Sequence, residues 1–596
     1  MTSAYQAASD QVPLPRPRKA AHPSLLSAEL GEFDTVQLRA LAADIRAHLV
    51  STVCAAGGHL GSNLGVVELT IALHRAFRSP WDAVLFDIGH QAYVHKMLTG
   101  RWDRFRTLRQ AGGLSGYPSR AESAHDFIEN SHASTVISYA DGMARAIELI
   151  GNHGRRVAAV IGDGALTGGM CWEAMNNLGG SGKPVVLVLN DNERSYDPTL
   201  GSVAEHLSAL RAGTADGNLF EQLGFEYLGP IDGHDFDALD DAFALARSRP
   251  HPVLVHCVTV KGKGYARAER DEADRMHGIG VIDPATGRST QPAAVSWTNV
   301  FAEEIADIAR DRVDVVGVTA AMRLPVGFGR FAAEFPDRVI DVGMAEQHAL
   351  TSAAGLAMGG MHPVVAVYST FLNRAFDQLL MDVALHRLPV TLVLDRAGVT
   401  GPDGPSHHGM WDLSLLAMVP GMRVACPRDT DSLRTQLRQA VSCEGPTAIR
   451  FPKASAGPAV PACATVGDVD LLSADGNDVL IVAVGQLAPM CLRAAEILRE
   501  QGIGVTVADP RWVLPVSPSL VDLVAGFRVA LVVEDGLGSG GIGDAVARAC
   551  AASDVDVPVR SMGLPTRFLA HGSRNGVLAQ VGLDAESIAR HVGGLL

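Results

Sequence analysis

Two short polar clusters, far apart in the chain, carry the residues best suited to chemistry. Gly162-Asp163-Gly164 follows the apolar run Val157 to Ile161, and Asn190-Asp191-Asn192 follows the apolar run Pro184 to Leu189. Apolar runs of this length read as buried strands. The segment Gly169 to Leu178 between them is helix-like, so the order is strand, helix, strand, a parallel crossover unit. Both clusters then fall at the carboxyl ends of neighbouring strands, the edge at which open α/β sheets bind ligands. Asp163 and Asn192, 29 positions apart, would meet there. A carboxylate, an amide oxygen and free backbone carbonyls suit a hard divalent cation that keeps room for phosphate oxygens. Gly162 and Gly164 let the chain approach a diphosphate closely. A lone Gly-Asp-Gly is also an ordinary turn, but the pair, each preceded by a strand, is far more specific.

A third cluster, Gly343-Met344-Ala345-Glu346-Gln347-His348, follows the strand-like run Val339 to Val342. Glu346 reads as ending that strand inside an Ala/Gly-rich, poorly hydrated stretch, where the neutral form of a carboxyl group is favoured. Alone it reads better as a surface residue opening a helix; its weight comes from the first two clusters. His59, in the Gly-rich loop Gly57 to Gly65, and His90, after the short strand Ala83 to Phe86, occupy the loop positions where function concentrates. With 21 histidines in the chain, any one of them is by default structural. Ser131-His132-Ala133-Ser134-Thr135 stands at a helix start, where hydroxyls and N–H groups either hold a phosphate or cap the helix.

The elements that position these clusters fall into three α/β blocks, as 596 residues allow. The expected organisation is a flexible tail over 1–30, a diphosphate- and metal-binding α/β domain over 31–280, and a linker over 281–297. A pyrimidine-binding α/β domain over 298–465 and a C-terminal α/β domain over 466–596 follow, all with mainly parallel sheets. Hydrophobic residues make up 47% and charged residues 19%, enough for sizeable cores. A formal charge of −15 argues against nucleic-acid or anionic-membrane partners, so an anionic substrate needs a local basic site. The eight cysteines lack CxxC spacing, which indicates neither a zinc site nor a disulfide framework. No apolar run reaches membrane-spanning length and no secretory signal is visible, so the expectation is a cytoplasmic enzyme.

With these residues in place, the chain resembles the 1-deoxy-D-xylulose-5-phosphate synthases, a branch of the transketolase-like thiamine-diphosphate enzymes. The likeness runs from about residue 35 through GGHLGSNLGVVELT, DIGHQAYVHKMLTGR, GYPSRAES, GDGALTGGM, DVGMAEQHA, YSTFLNRAFDQL, DRAGVTGPDGPSHHG and GLPTRFLAHGS. It implies thiamine diphosphate and Mg²⁺ as cofactors. Asp163, Asn192 and the backbone oxygen of Arg194 would bind the metal. His90, Ser131, His132, Ala133, Gly164, Ala165 and Tyr265 would line the diphosphate and thiazolium. Glu346 would hold the aminopyrimidine, with Phe371 stacked on it. The resemblance places His59, His277 and His407 beside the reacting carbons, where groups titrating near neutrality are expected. Asp403 would orient substrate hydroxyls, and Tyr368, Arg396 and Arg450 would grip a phosphate, for which a forked guanidinium is suited.

The implied reaction is decarboxylation of pyruvate and transfer of its two-carbon unit to D-glyceraldehyde 3-phosphate, by a homodimer. Isoprenoid precursor, thiamine and pyridoxal synthesis are the pathways the resemblance implies. Four features depart from the family pattern: Ser131, the Arg194/Tyr196 pair, a shortened segment after Tyr196, and Phe451-Pro452-Lys453. They leave open a related enzyme with another aldehyde acceptor, or a silent paralogue that binds the cofactor.

Overall fold

The computed structural model describes residues 27–292 and 294–596. The front unit holds a five-stranded sheet, all parallel, in the spatial order Ala83–Phe86, Val157–Gly162, Val185–Asp191, Val253–Val258, Glu226–Asp232. Its inner strands are Val/Leu/Ile/Ala runs buried on both faces, as a parallel sheet covered by helices requires. Leu85, Ala159 and Leu187 pack on one face, and Val84, Val160 and Val186 on the other. The helix Gly169–Ser181 crosses between the two central strands and ends at Gly182, whose φ of 64° is left-handed.

The middle sheet has seven strands, in the order Trp512–Leu514, Arg423–Ala425, Thr447–Arg450, Thr391–Asp395, His362–Tyr368, Val315–Thr319, Val339–Asp341. All pairs are parallel except the first, where Trp512–Leu514 runs antiparallel to Arg423–Ala425. That edge strand comes from the C-terminal block, so the boundary expected at 466 is crossed. It covers an edge that would otherwise present unpaired backbone groups. The third sheet has six strands, the last four parallel: Val505–Asp509, Val479–Ala483, Val529–Leu537 and Val559–Leu564. One apolar core joins the middle and C-terminal units, with Val393 and Phe451 in the same cluster as Val482, Val513 and Val532.

Several expectations need adjustment. The tail expected over 1–30 lies outside the described residues up to 26, but Ser27–Glu32 is helical and Leu30 is buried. The expected linker 281–297 is anchored at both ends. Ile282 donates its N–H to Cys54 O at 2.9 Å, and Ser296 caps the helix Trp297–Asp311. The shortened segment after Tyr196 leads into the helix Ser202–Ala212.

Arg450 is a joint between units rather than a free guanidinium. It is buried, and it donates to Asp412 Oδ2 at 2.8 Å on its own unit and to Asp535 Oδ1 at 2.6 Å on the strand Val529–Leu537. Removing one member of such a buried network leaves charges without a counterpart, a loss of about 3–5 kcal/mol. Arg450→Met should therefore lower the urea midpoint of unfolding clearly; a midpoint equal to the wild type's would contradict the joint.

Candidate active site

The front and middle units meet along a cleft, and the clusters read from the sequence face each other across it. A cavity with roughly 1130 Å³ free of protein atoms, mouth included, lies between them. Asp163, Gly164, Asn192, His90 and His277 line its front wall, and Glu346, Phe371, Tyr368, Arg396 and His407 the middle-unit wall. Thr167 pins the two walls together. Its hydroxyl donates to Gly164 O at 2.6 Å and accepts the N–H of Met344 at 2.8 Å. Gly343, at φ 74°, permits this approach, since a Cβ there would stand 2.6 Å from that same hydroxyl.

At the front end, Asp163 and Asn192 do come together. The N–H of Asn192 points at Asp163 Oδ1 at 3.4 Å, and Thr199 donates to Asp163 Oδ2. Burial, reinforced by the charge of Asp191, pushes the Asp163 carboxyl up to about 6. The Oδ1 atom of Asn192 is buried and has no hydrogen-bond partner among the described residues. Among the described residues no group of three or more His, Cys, Asp or Glu could hold a metal, so a cation here needs amide, carbonyl and ligand oxygens. Arg194 lines the cavity and anchors its turn through its side chain, donating to Tyr196 O at 3.1 Å and Ala273 O at 2.9 Å.

Lys261, four residues before the expected Tyr265 and not expected from the sequence, is buried in the same wall. It donates to Ser195 O and lies 2.9 Å from His277 Nδ1. Burial pulls its ammonium down to about 7. Tyr265, expected at the diphosphate, instead turns to the outer side of the loop and donates to Pro284 O at 2.7 Å. The reason is local: the loop brings Lys261 inward, and Tyr265 starts the outward helix Ala266–Arg270.

The helix start at Ser131–Thr135 is also redirected. The N–H groups of Ser134, Thr135 and Val136 all donate to the buried Asp87 carboxylate, at 2.7, 2.9 and 3.0 Å. A carboxylate from a neighbouring strand end thus takes the anion position at the helix N-terminus Val136–Leu149. Ser131, His132 and Ala133 line the cavity, but their contacts bridge the units. Ser406 Oγ donates to Ser131 Oγ at 2.8 Å, His132 Nε2 contacts Ser406 O at 3.1 Å, and Arg374 donates to Ala133 O at 2.5 Å.

His59, His90 and His277 form one cluster. His90 stacks on His277 with centroids 5.1 Å apart, and His59 meets His90 and His277 edge-on at 5.6 and 5.7 Å. Buried Asn63 holds the first two in place, donating to both His59 O and His90 O at 2.8 Å. His407 stacks on Tyr117 at 4.9 Å. The expectation that these rings titrate near neutrality does not hold in this cavity. Burial drives His59 and His277 well below the usual imidazole range and His90 and His407 to about 3. Neighbouring cations reinforce the effect, so the rings are neutral at pH 7.

Glu346 opens the helix Glu346–Met358 instead of closing a strand, and it is buried. Burial raises its carboxyl above the usual range, opposed by Arg374 at 3.6 Å, too far for a hydrogen bond. Its Oε2 atom has no hydrogen-bond partner among the described residues. At the outer end, buried Asp403 gathers three cations: Arg109, Lys453 at 2.5 Å and Arg396 at 3.6 Å. The guanidinium of Arg396 also lies over the Tyr368 ring at 3.9 Å. One carboxylate among three cations leaves local positive charge, which suits an anionic group. Arg450, expected in that grip, does not line the cavity and is held in its ion pairs, whereas Lys453 and Arg109 pair with the cavity-lining Asp403. Lys453 was visible in Phe451-Pro452-Lys453, whereas Arg109 lies in no motif.

A family model described as 1-deoxy-D-xylulose-5-phosphate synthase matches residues 26–216 and 210–259. Models described as the transketolase pyrimidine-binding domain and the transketolase C-terminal domain match residues 293–458 and 467–588. A 1-deoxy-D-xylulose-5-phosphate synthase of Mycolicibacterium paratuberculosis is 55% identical, covering 95% of this chain and 96% of its own length. Its counterpart in Frankia casuarinae is 54% identical, covering 95% and 93%. Among solved structures, a transketolase from Campylobacter jejuni aligns over 94% of this chain and 100% of its own, with 16% identity and a TM-score of 0.45. On its sequence and its family models, the chain belongs to the 1-deoxy-D-xylulose-5-phosphate synthase family.

Proposed function

We infer that this chain is a transferase that decarboxylates pyruvate and transfers the two-carbon unit to D-glyceraldehyde 3-phosphate, giving 1-deoxy-D-xylulose 5-phosphate and CO₂. The observation that carries the reading is one cavity with a cation-and-diphosphate end, an acid end and a phosphate grip. Thiamine diphosphate, when bound, supplies a nucleophilic carbon and an electron sink. The residues present fit it. Asp163, the orphaned Asn192 Oδ1 and the Arg194 carbonyl would hold Mg²⁺, with Lys261 and His90 beside the diphosphate. The unpartnered Glu346 Oε2 would meet the aminopyrimidine, next to the Phe371 ring.

The remaining residues handle substrate. His59, His277 and His407, neutral at pH 7, can accept a proton from one hydroxyl and return it to another without an ionic partner to displace. Asp403 holds Arg109, Arg396 and Lys453 where the acceptor's phosphate would sit, with Tyr368 supporting Arg396. A homodimer is part of the reading. Exposed Met358 ends the helix Glu346–Met358, Met381 lies in Leu379–Ala384 packed beside it and Leu385 follows directly, apolar surface suited to a second copy. The eight free thiols, six of them buried, suit a reducing cytoplasm. Among the described residues no helix is long and apolar enough to cross a membrane.

Incubation with thiamine diphosphate, Mg²⁺, pyruvate and D-glyceraldehyde 3-phosphate should yield CO₂ and a five-carbon sugar phosphate; turnover only with another aldehyde would refute this acceptor. Glu346→Ala should lower kcat at least ~100-fold while the circular dichroism spectrum stays that of the wild type. Near-normal turnover in that variant would rule out its role. Lys453→Met should raise KM for the phosphorylated acceptor by about tenfold and leave KM for pyruvate unchanged, since one charge-assisted contact is lost.

A pH effect follows from Asp163. Its folded value of about 6 exceeds its ordinary 3.8, so without a cation its stability contribution is present below that ordinary value and is lost as pH rises through 6. A bound cation offsets that loss only where the carboxyl is ionised. The rise in melting temperature on adding Mg²⁺ with thiamine diphosphate should therefore be large at pH 7.5 and small at pH 5. An equal rise at both would show that Asp163 does not hold the metal.

A further inference from the structure

Tyr196 takes no part in the chemistry described so far, yet it stands in the cavity wall. It belongs to a turn that the fold holds rigidly. Ser195 N donates to Asp197 O at 3.0 Å, and Thr199 N donates to Glu193 O at 2.9 Å. Arg194 ties the turn to Ala273 O at 2.9 Å, and Arg323 of the middle unit ties it to Asp197 Oδ1 at 3.0 Å. The Tyr196 ring lies 4.1 Å from that of His277, tilted by 34°. It thus packs a ring that His90 already stacks against. Its hydroxyl forms no hydrogen bond among the described residues and stays neutral by burial, while Arg396 and Asp403 are the charges acting on it most strongly. A fixed aromatic ring with a free donor therefore lines the cavity beside His277, in the wall it shares with Arg396 and Asp403.

Resting on the acceptor reading above, we propose that Tyr196 is a specificity-determining residue for the acceptor. Its hydroxyl hydrogen-bonds the hydroxyl next to the acceptor's aldehyde carbon, and its ring limits the length of chain that fits between His277 and Arg396. Of the neighbouring donors, Arg109 and Lys453 also bind Asp403, and Lys261 binds Ser195 beside His277, while the Tyr368 hydroxyl, against which Arg396 packs, is likewise without a partner among the described residues. A phosphorylated acceptor one carbon longer would have to displace the ring, which the anchored turn resists.

The test is a binding comparison on the chain saturated with thiamine diphosphate and Mg²⁺, by calorimetric titration with non-reacting acceptor mimics. Glycerol 3-phosphate keeps the hydroxyl in question, 3-hydroxypropyl phosphate lacks it, and erythritol 4-phosphate is longer by one carbon. The wild type should prefer the first to the second by roughly tenfold, the scale of one net hydrogen bond. Tyr196→Phe, which retains the ring against His277, should reduce that preference to about unity without weakening 3-hydroxypropyl phosphate. Tyr196→Leu should tighten erythritol 4-phosphate relative to glycerol 3-phosphate by ~10-fold. A preference unchanged in Tyr196→Phe, or no binding of glycerol 3-phosphate to the wild type, would overturn the assignment. Wild-type protein that binds these mimics with the expected pattern but never turns over pyruvate would instead refute the proposed reaction and leave Tyr196 standing.

Discussion

The geometry of the cleft depends on one hydroxyl. Thr167 joins the carbonyl of Gly164, beside Asp163, to the backbone N–H of Met344, two residues before Glu346. Both bonds are short, and the side chain that makes them is only half-buried, at the seam of two units. Because each unit is a rigid parallel sheet, fixing this contact fixes the separation of Asp163 and Glu346. The wall is then stitched by Arg374 to Ala133, Ser406 to Ser131 and Arg109 to Asp403. A cofactor clasped at both ends requires such a preset span.

Burial is the second theme, and it acts on opposite ends of the cavity in different ways. It favours the neutral forms of Glu346, Asp163 and the histidines, each without a full counter-charge. Asp403, equally buried, stays ionised well below the usual carboxylate range because Lys453, Arg109 and Arg396 surround it. The same solvent exclusion therefore produces neutral hydrogen-bonding groups along the cavity and a fixed charge cluster around Asp403.

Much of this was legible in the chain. The parallel strands announce themselves as Val/Ile/Leu runs: Ala83–Phe86 was read to its exact ends, and Val157–Gly162 to within a residue. The polar clusters at their carboxyl ends follow from the crossover rule. Side-chain direction within loops was not legible. In Lys261-Gly262-Lys263-Gly264-Tyr265 nothing local says which residue turns inward, and the glycines allow either course. Asp87 capping the helix at Val136 is a contact between residues 48 positions apart from Thr135, set by tertiary packing alone. Arg450 and Lys453 lie three residues apart at a strand end, where the change from strand to loop decides which faces the cleft. Imidazole ionisation was misjudged because the sequence shows residue type, and the crowding of three rings and a lysine appears only in three dimensions.

The edge strand Trp512–Leu514 bears on how the chain matures during synthesis. The middle sheet begins at residue 315, and its last partner emerges about two hundred residues later. Until then Arg423–Ala425 has an open flank. A nascent chain cannot seal that flank before Trp512–Leu514 has emerged, so the acid-bearing wall reaches its finished form only late in synthesis.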